Sequence, residues 1–210
     1  MARPRTFEEN DVLEKATREF WRRGFTGTSY THLTRATGLT KASLYNAFGN
    51  KEALFIRVLE HYSSATAREN DVQVTAGERI RQYILHLADI ANDPKGAAIG
   101  CLIMNSCVEF GREKTPRAKA AQGQLAAVER HFAQLFEEAI RHGEIANNKS
   151  ADYLAEVAVA GIFAMREMAK FRPVASMLQH VAESLLISLG LGTKENTHTT
   201  SHTTIERNPS

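Results

Sequence analysis

Apolar residues recur along almost the whole chain at intervals of three and four, the spacing of one face of an α-helix. Nowhere does a β-branched run alternate with polar residues as a half-buried strand would. From about Phe7 to Arg23, Val12, Ala16 and Phe20 fall four apart, and Gly24 stands where a helix C-cap is wanted. Two short helices follow, near Tyr30 to Thr37 and Lys41 to Phe48, separated by Gly38-Leu39-Thr40. Asn50 is placed to cap a fourth helix, Lys51 to about Arg68, with Leu54, Val58 and Tyr62 on one face. Longer helices are predicted over Gly77–Asn92, Cys101–Phe110, Pro116–His142, Ser150–Phe171 and Val174–Leu189. Pro94, Gly96, Gly100, Gly111, Gly143 and Pro173 punctuate them, and Thr115-Pro116 reads as an N-cap followed by proline at the first helical position. The polar, Thr-rich stretch 193–210 has almost no apolar anchors and is expected to be a disordered tail. The expected fold is all-α.

Composition narrows the class without defining a function. The chain has 210 residues, 43% of them apolar and 24% charged, with a net charge of +2. That describes an ordinary globular protein rather than one dominated by a single sign of charge. Two cysteines cannot build the disulfide framework of a small secreted scaffold. The N-terminal residues lack the apolar core of a signal peptide, and no apolar run approaches the length of a membrane span. A cytoplasmic protein with no membrane partner is expected.

Charge is distributed unevenly. Residues 1–60 carry 10 lysines and arginines against 7 acids, whereas 61–210 carry 16 against 17. Thr28 to Lys51 contains Arg35, Lys41 and Lys51 and no acidic residue, as a surface facing phosphates requires. Within it, Leu33, Ala36 and Leu39 combine with Leu44 and Phe48 so that two short helices share one small core. Gly38 allows the sharp exit from the first, and Thr40 caps the second. This is the arrangement of a helix-turn-helix, whose second helix enters the major groove. Lys41, Ala42, Ser43, Tyr45 and Asn46 then lie on its open side, a set suited to reading bases and holding phosphates.

The same stretch resembles the TetR family of bacterial transcriptional regulators, with its pattern T-S-x-x-x-I-A-x-x-A-G-V-S-x-G-x-L-Y-x-H-F-x-x-K-E-x-L. Thr28, Ser29, Ala36, Gly38, Leu44, Tyr45, Phe48, Lys51, Glu52 and Leu54 match, with Leu33, Leu39 and Thr40 as conservative replacements. Arg23-Gly24-Phe25 is similar to the family's end of helix one. Departures are Ala42 for Gly, Ala47 for His and Thr34 for Ala. The resemblance implies a DNA-binding domain over 1–60, with the helix-turn-helix at about 29–48, and a helical effector-binding and dimerisation domain over 61–192. It implies that Thr31, Lys41, Ala42, Ser43 and Asn46 face bases, Thr31 at the groove's edge. Ser29, Tyr30, Thr40, Tyr45 and Lys51 would hold phosphates.

Residues 98–111 resemble a C-terminal variant of that family with a G-C-L-x-x-N-x-x-x-E signature. Cys101, Asn105 and Glu109 fall four apart on one helical stripe. Cys101 stands at a predicted helix N-terminus, where it would be a candidate sensor of electrophiles or oxidants, although small buried cysteines are common. Cys101 and Cys107, six apart on one helix, are not placed to bridge. An apolar effector pocket would draw on Tyr83, Leu87, Met104, Phe110, Phe132, Phe136 and Phe163 beside Cys101, Asn105 and Glu109, although aromatics at helical spacing are commonly plain core. Dimerisation is assigned to two stripes. One is Leu154, Val157, Gly161, Ala164 and Met168; the other is Val174, Leu178, Val181 and Leu185. The competing reading is that both stripes face the subunit's own core.

Signatures of catalysis are missing. There is no H-E-x-x-H, C-x-x-C or P-loop, and Gly190-Leu191-Gly192 lacks a preceding strand and a third glycine. His198 and His202 lie in the Thr-rich tail and read as solvated, and Asn148-Lys149-Ser150 matters as a sequon only if the chain is secreted. No enzyme activity, metal or cofactor is expected. The expected function is a ligand-responsive regulator, a repressor, binding a palindromic double-stranded DNA operator as a homodimer and released by a small-molecule effector. The alternative is a helical small-molecule-binding or protein-interaction module that does not touch DNA.

Overall fold

A computed structural model describes residues 8–68, 74–92, 99–145 and 148–192. The predicted start at Phe7, the tail 193–210 and both of its histidines lie outside the described residues. Among those described the protein is all-helical, as the apolar spacing predicted. The helices are α1 (Glu9–Gly27), α2 (Tyr30–Thr37), α3 (Lys41–Phe48), α4 (Lys51–Arg68) and α5 (Ala76–Asp89), the last followed by a short 3-10 turn to Asn92. Then come α6 (Leu102–Phe110), α7 (Pro116–Arg141), α8 (Ala151–Phe171) and α9 (Ala175–Ser188).

Side-chain caps set most of these boundaries. Ser29 Oγ accepts the His32 N–H while His32 Nδ1 accepts the Ser29 N–H, a reciprocal capping box at the start of α2. Thr40 Oγ1 accepts from Ser43 N, and Asn50 Oδ1 accepts from Ala53 N at the start of α4. Thr75, Thr115 and Ser150 cap α5, α7 and α8 in the same way. Gly38 closes α2 in the left-handed region with φ of 74°. Gly24 interrupts α1 at φ of 68°, and the chain makes one further turn before Thr28. Cys101 is the extended N-cap of α6 rather than its first helical residue.

Two clusters of buried residues form the interior. The first gathers Val12, Ala16 and Phe20 of α1, Leu33 of α2, Leu44 and Phe48 of α3, and Leu54, Phe55 and Val58 of α4. It takes in Leu102, Ile103 and Phe110 of α6 and Ala118 and Ala121 of α7, so the reading head is rooted directly in the body. An aromatic group at this joint packs edge to face: Phe55 against Phe20, Phe25 and Phe110, with ring centroids 5.0 to 5.6 Å apart. The second cluster fills the body between α5, α7, α8 and α9. Gly161 belongs to it by close approach: a Cβ there would stand 2.5 Å from Leu185 Cδ2 of α9.

Candidate nucleic-acid interface and ligand cavity

Helix α3 is held by its inner side. Leu44 and Phe48 are buried against α2 and α4, which turns Lys41, Ala42, Tyr45 and Asn46 outward; Tyr45 is 61% exposed. Thr31 is exposed at the start of α2. Ser43 is half-buried, and its hydroxyl lies 3.0 Å from Thr40 Oγ1, so part of its hydrogen-bonding capacity serves the helix cap. Lys41 Nζ sits 5.0 Å from the centre of the Tyr30 ring, which steadies a cation at the edge of this face. The Tyr30 hydroxyl accepts the Lys51 N–H at 3.0 Å, leaving its own proton free to donate outward.

Lys51 departs from expectation. Its ammonium donates to the carbonyls of Phe25 and Thr28, both at 2.9 Å, and rests 4.2 Å from the centre of the Phe25 ring. Burial, opposed by Glu109 and reinforced by Arg117, pulls its pKa below the usual lysine value. The assignment of Lys51 to a phosphate is therefore corrected: here it closes the C-terminal end of α1. Sequence reading placed it outside because the carbonyls it serves lie more than twenty residues upstream.

The junction of head and body gives its residues roles that no motif signalled. Glu109 accepts the N–H groups of Phe25 and Thr26 at 2.8 and 2.7 Å, just past the Gly24 kink. A Cβ at Gly24 would lie 2.7 Å from that carboxylate, so both conformation and space require glycine. Arg117 pairs with Glu52 at 3.1 Å and with Glu113 at 2.8 Å, and its guanidinium lies over the rings of Phe25 and Phe110. Trp21 Nε1 donates to the Gly100 carbonyl at 3.2 Å.

The body encloses a cavity of about 700 Å³ between α4, α5, α6, α7 and α8. Tyr83, Cys101, Met104 and Phe132 line it, from among the residues expected there. The others do not. Leu87 and Phe136 are sealed in the core, Phe110 belongs to the cluster beneath the reading head, and Phe163 packs against the body core away from the cavity. Asn105 and Glu109 face a smaller hollow of about 290 Å³ beside Trp21 and Lys170, where Lys170 Nζ donates to Asn105 Oδ1 at 3.0 Å. The four-residue spacing put Cys101 on their stripe, but as an extended cap it points the other way.

Polar groups converge at one end of the cavity. Arg166 reaches the Tyr83 hydroxyl and the Gly100 carbonyl, both at 3.5 Å, and the Tyr62 hydroxyl lies 3.8 Å from Cys101 Sγ. Burial lowers the Arg166 pKa, but Tyr83, Cys101 and Tyr62 outweigh it and raise the pKa, so the guanidinium stays charged. Burial raises the Tyr62 pKa and keeps its phenol protonated. His131 is driven below its usual value by burial and by Arg79, and is neutral at pH 7. Burial pushes the Cys107 thiol up to about 11, and Cys101 and Cys107 are both free.

The two stripes assigned to dimerisation divide. Leu154 and Leu178 are fully buried in the chain's own core, and Gly161 packs against its own Leu185, so these three are corrected to internal packing. Val157, Met168 and Leu185 are half-buried. Ala164, Val174 and Val181 lie on the surface, beside Phe171 and Ile187 at 71% and 65% exposure.

An outward recognition helix rooted in a helical body is the architecture of a helix-turn-helix DNA-binding regulator. Comparison with known proteins gives the family. Residues 12–58 match the family described as bacterial regulatory proteins, tetR family, and residues 76–185 match the tetracyclin repressor-like C-terminal domain. The chain belongs to the TetR family and is a transcriptional regulator, not an enzyme. It is 32% identical over 158 residues to the HTH-type transcriptional repressor ComR of Escherichia coli (strain K12), covering 73% of this chain and 75% of that protein. It is 27% identical over 197 residues to the HTH-type transcriptional repressor DhaR of Mycobacterium sp. (strain GP1), covering 88% and 95%. Among solved structures, a cysteine mutant of the TetR family regulator CifR complexed with 26 bp double-strand operator DNA superposes with a TM-score of 0.70. It shares 29% identity over 89% of this chain and 99% of that one. No helix among the described residues is long and apolar enough to cross a membrane.

Proposed function

We propose that the chain is a repressor that grips a palindromic operator as a homodimer and lets go when a small molecule enters the cavity. The observation that carries this reading is the outward face of α3. Lys41, Ala42, Tyr45 and Asn46 project from a helix anchored by Leu44 and Phe48, in a stretch without a single acid. Lys41 and Asn46 suit base edges in the major groove, with Ala42 apposed to a thymine methyl, Ser43 reaching inward and Thr31 at the groove's rim. Ser29, Tyr30, Thr40 and Tyr45 surround that helix as phosphate partners.

One such helix reads too few base pairs, so a second copy completes the site one helical turn away, and its operator is palindromic. The exposed apolar groups of α8 and α9, among them Ala164, Phe171, Val174 and Val181, supply the surface on which the copies meet. Work on DNA assigns the protein to the bacterial cytoplasm. Effector entry shifts the population between states with different separations of the recognition helices.

The test is fluorescence anisotropy on a labelled duplex taken from the region upstream of the chain's own coding sequence, against a scrambled duplex, at about 50 and 200 mM salt. The upstream duplex should bind more tightly, with two chains per duplex and a steep loss of affinity at the higher salt. Equal affinity for both duplexes, or binding that ignores salt, overturns the reading.

A further inference from the structure

Arg166 brings a cation into the cavity. Arg166 has five N–H donors, and its two contacts, to the Tyr83 hydroxyl and the Gly100 carbonyl, are both at the 3.5 Å limit of a hydrogen bond. Among the described residues no carboxylate lies within salt-bridge distance of it, and no aspartate or glutamate lines the cavity. Arg79 lines the same space one helical turn before Tyr83, and its Nε is buried without an acceptor. A desolvated guanidinium without a counter-ion is costly, and an incoming anion removes that cost. The remaining wall is apolar, formed by residues such as Ile80, Ile103, Met104 and Phe132.

We propose that the cavity selects an amphipathic organic acid, with its carboxylate on Arg166 and its apolar body against Phe132, Met104 and Ile80. The planar fork of a guanidinium matches a carboxylate bidentately, which neither an alcohol nor an amine can copy. The Tyr83 hydroxyl accepts from the fork and keeps its own proton to donate to the carboxylate's remaining lone pairs. Arg79 adds a second positive charge without crowding the fork with an acid. A free phosphate gains the charge but forgoes the apolar wall. This inference rests on the reading of the cavity as the effector site and specifies its occupant.

The test uses the full chain and calorimetric titration with three molecules of one shape: phenylbutyrate, phenylbutanol and phenylbutylamine, with octanoate, naphthoate and inorganic phosphate beside them. An apolar acid should bind in preference to its alcohol and amine and to phosphate. Arg166→Gln should weaken the acid by about tenfold to hundredfold while leaving the alcohol within about twofold. Tyr83→Phe, which keeps the ring, should weaken the acid by a few-fold and guards against an Arg166 variant that fails to fold. If acid, alcohol and amine bind equally and Met104→Trp abolishes all three, the cavity remains a ligand site and the acid proposal is overturned. If phosphate binds as tightly as the acids, the apolar wall plays no part and the proposal is likewise overturned. If no member of the set binds or releases operator DNA, the proposal and the effector-site reading fall together.

Discussion

Lys51→Met separates two accounts of one lysine. The substitution keeps a flexible stem over the Phe25 ring but removes the ammonium that serves the carbonyls of Phe25 and Thr28. Both carbonyls belong to the joint between α1 and α2, where Phe25 also packs on Phe55 and Phe110. Hydrogen bonds to a charged donor contribute about 1.5–3 kcal/mol each when buried. Lys51 is only partly buried, and its lowered pKa shows that desolvation takes back part of that gain. A net loss of about 2 kcal/mol is therefore expected, which for a chain of this size lowers Tm by roughly 4–8 °C. Differential scanning calorimetry at fixed protein concentration, without DNA, reads this directly. The salt dependence of operator binding should keep its slope, because no phosphate contact is removed. A melting curve that coincides with the unaltered chain, together with a slope reduced by about one, would refute the internal role and restore a phosphate contact.

Other substitutions probe neighbouring features. Glu109→Ala strips the acceptor from the Phe25 and Thr26 N–H groups; the contact is exposed, so a loss of about 1 kcal/mol, or roughly 2–4 °C in Tm, is expected by calorimetry. His131 has a folded pKa depressed by burial and by Arg79, so its contribution to stability is present above about pH 6.5 and is lost as pH falls toward the folded value. Melts between about pH 5.5 and 7.5 should show a shallower pH dependence in His131→Gln, and identical profiles would contradict this. In a Cys101→Ser chain, Cys107 should react with iodoacetamide at neutral pH roughly a hundredfold more slowly than a free cysteine, followed by mass spectrometry. Asn46→Ala and Lys41→Ala should each relax base preference at one operator position by about 1–3 kcal/mol in a panel of single-base operator variants; unchanged preference in both would remove α3 from base reading.

The sequence was most legible where a local interaction decides the structure. Thr40, Asn50 and Thr115 announce helix starts because a cap needs only its own next turn. Gly24 and Gly38 announce breaks because only glycine takes those angles cheaply. Leu44 and Phe48 could be assigned inward, and Lys41 and Asn46 outward, from their order on an eight-residue helix. Spacing alone could not say which neighbour a stripe meets. Leu154 and Val157 fall on one predicted face, yet Leu154 is sealed in the chain's own core while Val157 is half-buried. The same limit separated Cys101 from Asn105 and Glu109, since one residue's departure from helical geometry at the start of α6 sends them to different cavities. Arg166 escaped altogether, because a single arginine in an apolar helix carries no periodic signal until the space in front of it is seen.

The cavity and the reading head meet at two adjacent residues. The Gly100 carbonyl receives Trp21 Nε1 from α1 on one side and the Arg166 guanidinium from α8 on the other. Next to it Cys101 takes the Tyr62 hydroxyl, and the Tyr62 ring packs edge to face on Trp21 at 5.1 Å. In the proposed switch, a ligand that claims the fork of Arg166 draws it from the Gly100 carbonyl, the same carbonyl to which Trp21 of α1 donates. Gly100 has little room to adjust: its φ is 64°, and a Cβ would lie 2.8 Å from Lys170 Cδ. The Trp21 bond to the Gly100 carbonyl, at 3.2 Å, contributes about 1 kcal/mol. A switch needs a coupling of only about 1–3 kcal/mol to change affinity 5- to 150-fold. In the proposed switch, loosening that bond on ligand entry is therefore of the size such a coupling needs.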